Sequence, residues 1–466
     1  MTTSEKIKNP KSTYLLSAIG MLESFSFYIY AGLLVLYMIE VLNFSQAFAM
    51  SFFGLAFGST YLLQIIGGAV CDKYLGNRKS VILGMIFVFL AQLIFTYDAS
   101  LYTITANIAI HSSFLFNMPE VLFLIGIVIM CIGVSFFKVT LASFFSLFYK
   151  DNEKGLDSAF SIFYMFVNIG GFFAPLLINF VVGVHHPELY QYGFLVAAIA
   201  MLVGIIIFAI LKNKLLVLPN GEAVGVIPRS KSEVIKENVN VNEKLSKIDR
   251  DRLKVIFFML IFIIIYLAGN QQIFSSMLIF AEANVNNVIP IINQQVTPQF
   301  YLMLNPLFII ILSPLYIKLS KRSSIAKIGL GLLVMGFSFL IIVLGLATAD
   351  SNMKINMIWM LLFSLLLVNS ELLVVPVSLS AVSKLAPERF TSALLGIYYV
   401  VFFIAGVLSG IYAAALPIPD PTKLFGFIPI PNLTSFFLGL VVVGFVSGGI
   451  WFLFRNKIKD LSHEML

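Results

Sequence analysis

Apolar runs of about 20 residues or more recur along the whole chain, separated by short polar joints. Each run is long enough to cross a bilayer as a helix. Twelve predicted spans follow: 13–40, 47–71, 80–97, 121–148, 158–183, 191–212, 255–282, 299–318, 325–348, 355–383, 391–416 and 432–455. The one long polar stretch, 213–254, divides them six and six and has too few apolar residues for a core of its own. The expected architecture is an all-α membrane protein with 12 transmembrane helices in two six-helix bundles. Residues 1–212 form the first bundle, 213–254 a linker and 255–466 the second. The first run is too long, and follows too polar a Lys-bearing tail, to read as a cleaved signal peptide.

Composition agrees. The chain is 59% hydrophobic and only 11% charged, with 46 phenylalanines among 466 residues, and its mean hydropathy is +0.97. A soluble chain carries roughly a quarter charged residues. Of the 30 Lys and Arg, 27 fall in the two tails and the alternate joints that share their side. Lys354 and Lys423 lie opposite, and Lys138 lies within a span. That asymmetry predicts cytoplasmic N- and C-termini, a cytoplasmic linker and a multi-pass protein of the cell membrane. The net charge of +7 thus reflects topology and predicts a bilayer, with no nucleic acid, as partner. Cys71 and Cys131 lie in or at the ends of spans and suggest no disulfide framework. No phosphate-binding loop, metal-ligand cluster or nucleophile–base pair is evident, so neither enzyme, metal site nor cofactor is expected, and the chain is expected to be a monomer.

Three charged residues lie deep in predicted spans: Glu23 in the first, Lys138 in the fourth and Glu371 in the tenth. Counted along each span, all three sit roughly 15–18 Å from the cytoplasmic boundary, near the midplane. A charge there costs at least about 2.5–3.5 kcal/mol, so it is normally kept for function and turned inward. Glu23 and Lys138 can neutralise each other as an ion pair. Glu371 then has no basic partner, and such a carboxylate either takes up a proton or meets a cationic ligand.

Several motifs resemble the proton-dependent oligopeptide transporter family, a branch of the major facilitators. FSIFYMFVNIGGFFAPLL at 160–177 is similar to that family's fifth-span signature F-S-I-F-Y-M-x-I-N-x-G. LNPLFIIILSP at 304–314 resembles its eighth span, SELLVVPVSLSAVSKLAPERF at 370–390 its tenth, and CIGVSFFKVTLASF at 131–144 its fourth. In GGAVCDKYLGNRKS, 67–80, Asp72, Gly76, Arg78 and Lys79 resemble the facilitator loop that turns tightly and latches the inner face. The resemblance implies a secondary active transporter working by alternating access between two bundles, powered by a proton gradient, with a small solute such as a di- or tripeptide as cargo. It also implies roles. Asn168, Asn305 and Glu371 match residues that bind the peptide amino terminus, and Lys138 matches the lysine linked to proton coupling and the peptide carboxylate. Tyr28 and Tyr61 match pocket tyrosines, and Tyr398 stands where tryptophan is usual.

The family pattern also breaks. Its first span reads E-x-x-E-R-F-x-Y-Y-G-x-R, whereas here Gly20, Glu23, Ser24, Phe25, Phe27, Tyr28 and Ala31 stand in line. One glutamate and both arginines are gone. The seventh-span acid aligns with Asn270, beside Gln271, and the fourth-span P-N with Val139 and Thr140. Arginines supply permanent bidentate donors for a carboxylate; without them Lys138 is the fixed positive charge left for that task. Two cargo readings stand here: a proton-coupled symporter of small peptides, and a relative retuned to an amine, drug or metallophore, exported or imported. A receptor or scaffold without turnover is the third reading. On any transport reading Glu23, Lys138 and Glu371 are the proton-coupling or ion-pair candidates.

Overall fold

A computed structural model describes residues 10–107, 118–149, 153–183, 186–218, 221–226, 246–289, 292–318, 323–387, 391–463 and 465. Half of the polar segment at 213–254 (219–220 and 227–245) and the end of the tenth-span motif, 388–390, lie outside the described residues. Within them, twelve helices are long and apolar enough to cross a membrane. The first six are Lys11–Glu40, Gln46–Leu75, Asn77–Leu101, Glu120–Phe148, Ser158–Val181 and Pro187–Leu215. The second six are Lys247–Asn284, Pro298–Tyr316, Ser324–Leu346, Ile358–Leu385, Gly396–Ala413 and Leu433–Leu453. Helices are the answer lipid demands, because each satisfies its own backbone N–H and C=O groups.

The chain folds as two compact units. One takes Met1–Leu33 and Leu63–Val234, the other Leu34–Leu62 and Ile235–Leu466. The first two spans therefore each contribute to both.

In the first unit the third span packs along the fourth and the sixth. Phe95 centres its core, with ring centroids 5.6 Å from Tyr30, 6.0 Å from Phe123 and 5.4 Å from Phe194. Lipid chains are as apolar as leucine, so spans associate through close packing, which small residues permit. Gly84 and Gly133 do this for the third and fourth spans: a Cβ on Gly133 would lie 2.7 Å from the Val88 nitrogen and 3.0 Å from the Gly84 oxygen. The third helix also continues to Asn107, beyond the end expected at 97, and so takes in Asp98, which is fully buried.

In the second unit the seventh span opens with a capping box. Ser246 Oγ accepts from the Asp249 backbone N–H at 3.0 Å, and the Asp249 carboxylate accepts from the Ser246 N–H at 3.3 Å. The ninth span packs along the tenth and twelfth, and the Trp451 indole N–H donates to the Ile325 carbonyl at 2.7 Å. Gly54 and Gly58 of the second span meet Gly406, Gly410 and Phe403 of the eleventh, backbone against backbone. Phe57 stacks near Phe274 at 5.5 Å in the same unit. Short strand pairs tie its loops, Val285–Asn286 with Ile355–Asn356 and Thr422–Leu424 with Ile428–Ile430.

Replacing Gly133 by leucine should overpack this crossing and cost about 1–3 kcal/mol. Gly449→Leu, where nothing lies within 4 Å of the added carbon, should be neutral. Thermal unfolding of the two variants in detergent measures the difference, and similar Tm values would show that the crossing is loose.

Candidate functional site

Each unit carries its own polar constellation. In the first, Lys138 Nζ lies 3.7 Å from Glu23 Oε1 and 4.1 Å from the centre of the Phe27 ring. Glu23 is buried, whereas the Lys138 side chain keeps 32% of its surface. The ammonium thus sits between a carboxylate and the negative face of an aromatic ring. At 3.7 Å the contact is a charge pair longer than a hydrogen bond.

The neighbours explain the altered first-span motif. A Cβ on Gly20 would run into the Phe163 ring and lie 3.3 Å from Leu141. The volume an acid would need at position 20 holds hydrocarbon. Asn168, one turn beyond Tyr164 on the fifth span, is buried and donates from Nδ2 to the Tyr164 carbonyl at 2.8 Å. Tyr28 lies with its ring against Gly171, where an added Cβ would be 3.2 Å away.

In the second unit, Asn305 Nδ2 donates to Glu371 Oε2 at 2.8 Å. Asn270 lies beside the same carboxylate, and its Nδ2 donates to the Tyr266 hydroxyl at 3.2 Å. The eighth and tenth spans thereby meet at this acid, with Asn270 of the seventh beside it. No basic side chain lies within ion-pair distance of Glu371 among the described residues, and Glu371, Asn305 and Asn270 all remain partly exposed. The seventh span loosens here into a 3₁₀ turn over Gln271–Phe274; Gln271 is buried. Tyr398 is buried too, its hydroxyl 2.8 Å from Ser378 Oγ. Tyr61 stacks on Phe402 at 4.7 Å, and Phe402 meets Tyr398 edge-on at 5.5 Å, which joins the two tyrosines through one ring.

In the joint between the second and third spans, Gly76 takes φ 72°, a left-handed turn suited to glycine, and ends the helical run Cys71–Leu75. Arg78 is buried. Its Nε donates to Val224 O at 2.7 Å, its Nη1 to Asn213 Oδ1 at 3.1 Å and its Nη2 to Leu216 O. Arg78 therefore clamps the segment that leaves the sixth span, where Val217 bridges to Ala223. Asp72 and Lys79 are exposed.

Some polar residues in the interior were missed. Gln272 Nε2 donates to Ser409 O and Oγ, both at 3.0 Å, and Gln92 Nε2 donates to Ser26 O and Oγ, both at 3.1 Å. The signal was available: an amide side chain in an apolar run.

The family model of the Major Facilitator Superfamily matches residues 16–410. The chain belongs to the Major Facilitator Superfamily. It is 26% identical to the uncharacterized transporter YclF of Bacillus subtilis, over 98% of this chain and 96% of that one. It is 25% identical to dipeptide and tripeptide permease A of Escherichia coli, over 89% and 86%. Among solved structures, a peptide transporter POT in complex with sulfate superposes with a TM-score of 0.80 at 21% identity, over 97% of this chain and 96% of that chain. A POT family transporter in complex with 5-aminolevulinic acid gives 0.78 at 20%, over 96% and 97%. These relatives accord with the family likeness read from the motifs, with the twelve-span architecture and with a multi-pass protein of the cell membrane.

If Glu23 and Lys138 stabilise each other, Glu23→Gln and Lys138→Gln should each lower the apparent Tm. The double variant should lose less than their sum, by about 0.5 kcal/mol or more. Strict additivity would mean that the 3.7 Å approach has no energetic content.

Proposed function

We propose that this chain is a secondary transporter of small peptide-like solutes that present a free amine, driven by the proton gradient, with both termini cytoplasmic and one chain sufficing for transport. The observation that carries this reading is the Glu371 carboxylate. It is held by one neutral amide donor, Asn305, with Asn270 beside it, and is still partly exposed. An amide donor orients a carboxylate without cancelling its charge. An incoming ammonium therefore meets a preorganised anion in a medium where charge-assisted hydrogen bonds are strong. Asn305 and Asn270 are positioning residues in this reading, and Tyr398, Phe402 and Tyr61 supply the adjoining aromatic surface.

Lys138 is the candidate for the solute's carboxylate. Its contact with Glu23 is long and a third of its side chain is exposed, so an anion can compete for it. Protonation of Glu23 would release Lys138 for that task, and return of the proton to solvent would restore the pair. Coupling follows from this exchange, since the same ammonium serves the carboxylate of the chain or that of the cargo. Asn168, Tyr28, Gln271 and the Asp72–Gly76–Arg78 joint take supporting parts. No bond of the solute is made or broken.

A second reading, an amine-bearing solute without a carboxylate, is favoured by one observation: Lys138 is already flanked by Glu23 and Phe27.

Glu371→Gln should weaken binding of dialanine by about 10- to 100-fold, the value of a hydrogen bond to a charged group. N-acetyl-dialanine, which lacks the amine, should distinguish the two proteins little. Ligand-induced thermal stabilisation measures both. Equal dialanine affinity in wild type and variant would remove the amine site. Alaninamide, the carboxylate-free counterpart, separates the two cargo readings.

A further inference from the structure

At the end of the second unit where the seventh span begins and the twelfth ends, a cavity of about 210 Å³ opens between Lys254 and Lys457. Its floor is apolar, made of Phe258, Phe454, Ile458 and Leu461. Phe258 also stacks on Trp451 at 6.1 Å and meets Phe454 at 5.4 Å, so an aromatic cluster backs the floor.

The chain around it is built for an interface. After the twelfth span, a short helix, Arg455–Leu461, turns Ile458 inward, where it is buried, and leaves Arg455, Lys457 and Lys459 exposed. Just before it, Leu453 is 82% exposed and Phe454 40% exposed. That is the profile of a segment whose apolar side lies in lipid and whose basic side meets headgroups. The acids nearby leave the positive charge in excess. Asp251 is engaged by Lys254 Nζ at 2.8 Å and faces His463 Nε2 at 3.8 Å, and Asp460 is the acid within the short helix. Lys254 remains 66% exposed despite its contact with Asp251, and an ammonium has three donors to share.

We propose that this cavity is a binding site for an anionic phospholipid. The phosphate group lies between Lys254 and Lys457, and an acyl chain covers Phe258, Phe454 and Ile458. The combination selects for this class. A free phosphate has no use for the apolar floor, and a zwitterionic lipid gains little from two ammonium groups. By the distribution of basic residues this end of the bundle faces the cytoplasmic leaflet, where anionic headgroups draw lysines at the surface. The proposal is independent of the cargo, since none of its residues belongs to the transport constellation.

The test uses the full chain in detergent, titrated with phosphatidylglycerol, phosphatidylcholine or inorganic phosphate while apparent Tm is followed. Phosphatidylglycerol should raise the Tm of wild type, and the other two should not. Each lysine removed should weaken the apparent affinity about fivefold, so K254Q/K457Q should lose more than tenfold. K212Q/K214Q, which removes the same charge from the end of the sixth span, should behave as wild type. Should the double variant fail to fold, K457E, a single exposed position, carries the same expectation. Equal phosphatidylglycerol shifts in wild type and K254Q/K457Q would overturn the proposal. So would phosphatidylcholine matching phosphatidylglycerol, or inorganic phosphate reproducing the shift alone.

Discussion

A carboxylate in an apolar helix must find donors, and the kind of donor decides what the site can do. Glu23 is answered by a cation, Lys138, at 3.7 Å. Glu371 is answered by an amide, Asn305, at 2.8 Å. The first arrangement is neutral as a pair and loses its balance when either member changes protonation or partner. The second fixes the direction of the carboxylate without neutralising it. On the proposed reading, chemistry at one acid is exchange of a proton or anion, and at the other capture of a cation.

The same constraint explains positions where the first and seventh spans depart from the family pattern. Position 20 is glycine, and Phe163 and Leu141 occupy the space a longer side chain would take. Restoring an acid there would bury a charge against hydrocarbon. Position 270 reads in the sequence as a lost acid, yet its amide lies beside Glu371 and donates to the Tyr266 hydroxyl at 3.2 Å. A second carboxylate at that place would repel Glu371, whereas the neutral amide does not. What reads as loss of a titratable group is also gain of a hydrogen-bond donor.

Scaffold and chemistry meet through close packing. Gly84 with Gly133, and Gly54 with Gly406, bring backbones together where any side chain would hold them apart. Arg78 works differently. Its guanidinium ties the first turn after the third span's start to carbonyls beyond the sixth, so the polar segment leaves the first unit already bound to it. Its fork of donors suits several carbonyls at once, which a lysine could not match.

Twelve spans, and the three charged residues placed inside them, were legible in the linear order. Lipid imposes helices of known length and penalises charge at any depth, and both are properties of a segment read alone. Which groups those charges meet was decided by tertiary structure. A shift of one residue turns a side chain by about 100° around its helix, and spans apolar on every side carry no stripe that fixes their rotation. Hence the sequence linked Asn305 to Glu371 only through the family likeness, and it was the packed helices that set Asn305 2.8 Å from that carboxylate, buried Asp98 inside a longer third helix and aimed Arg78 at Val224.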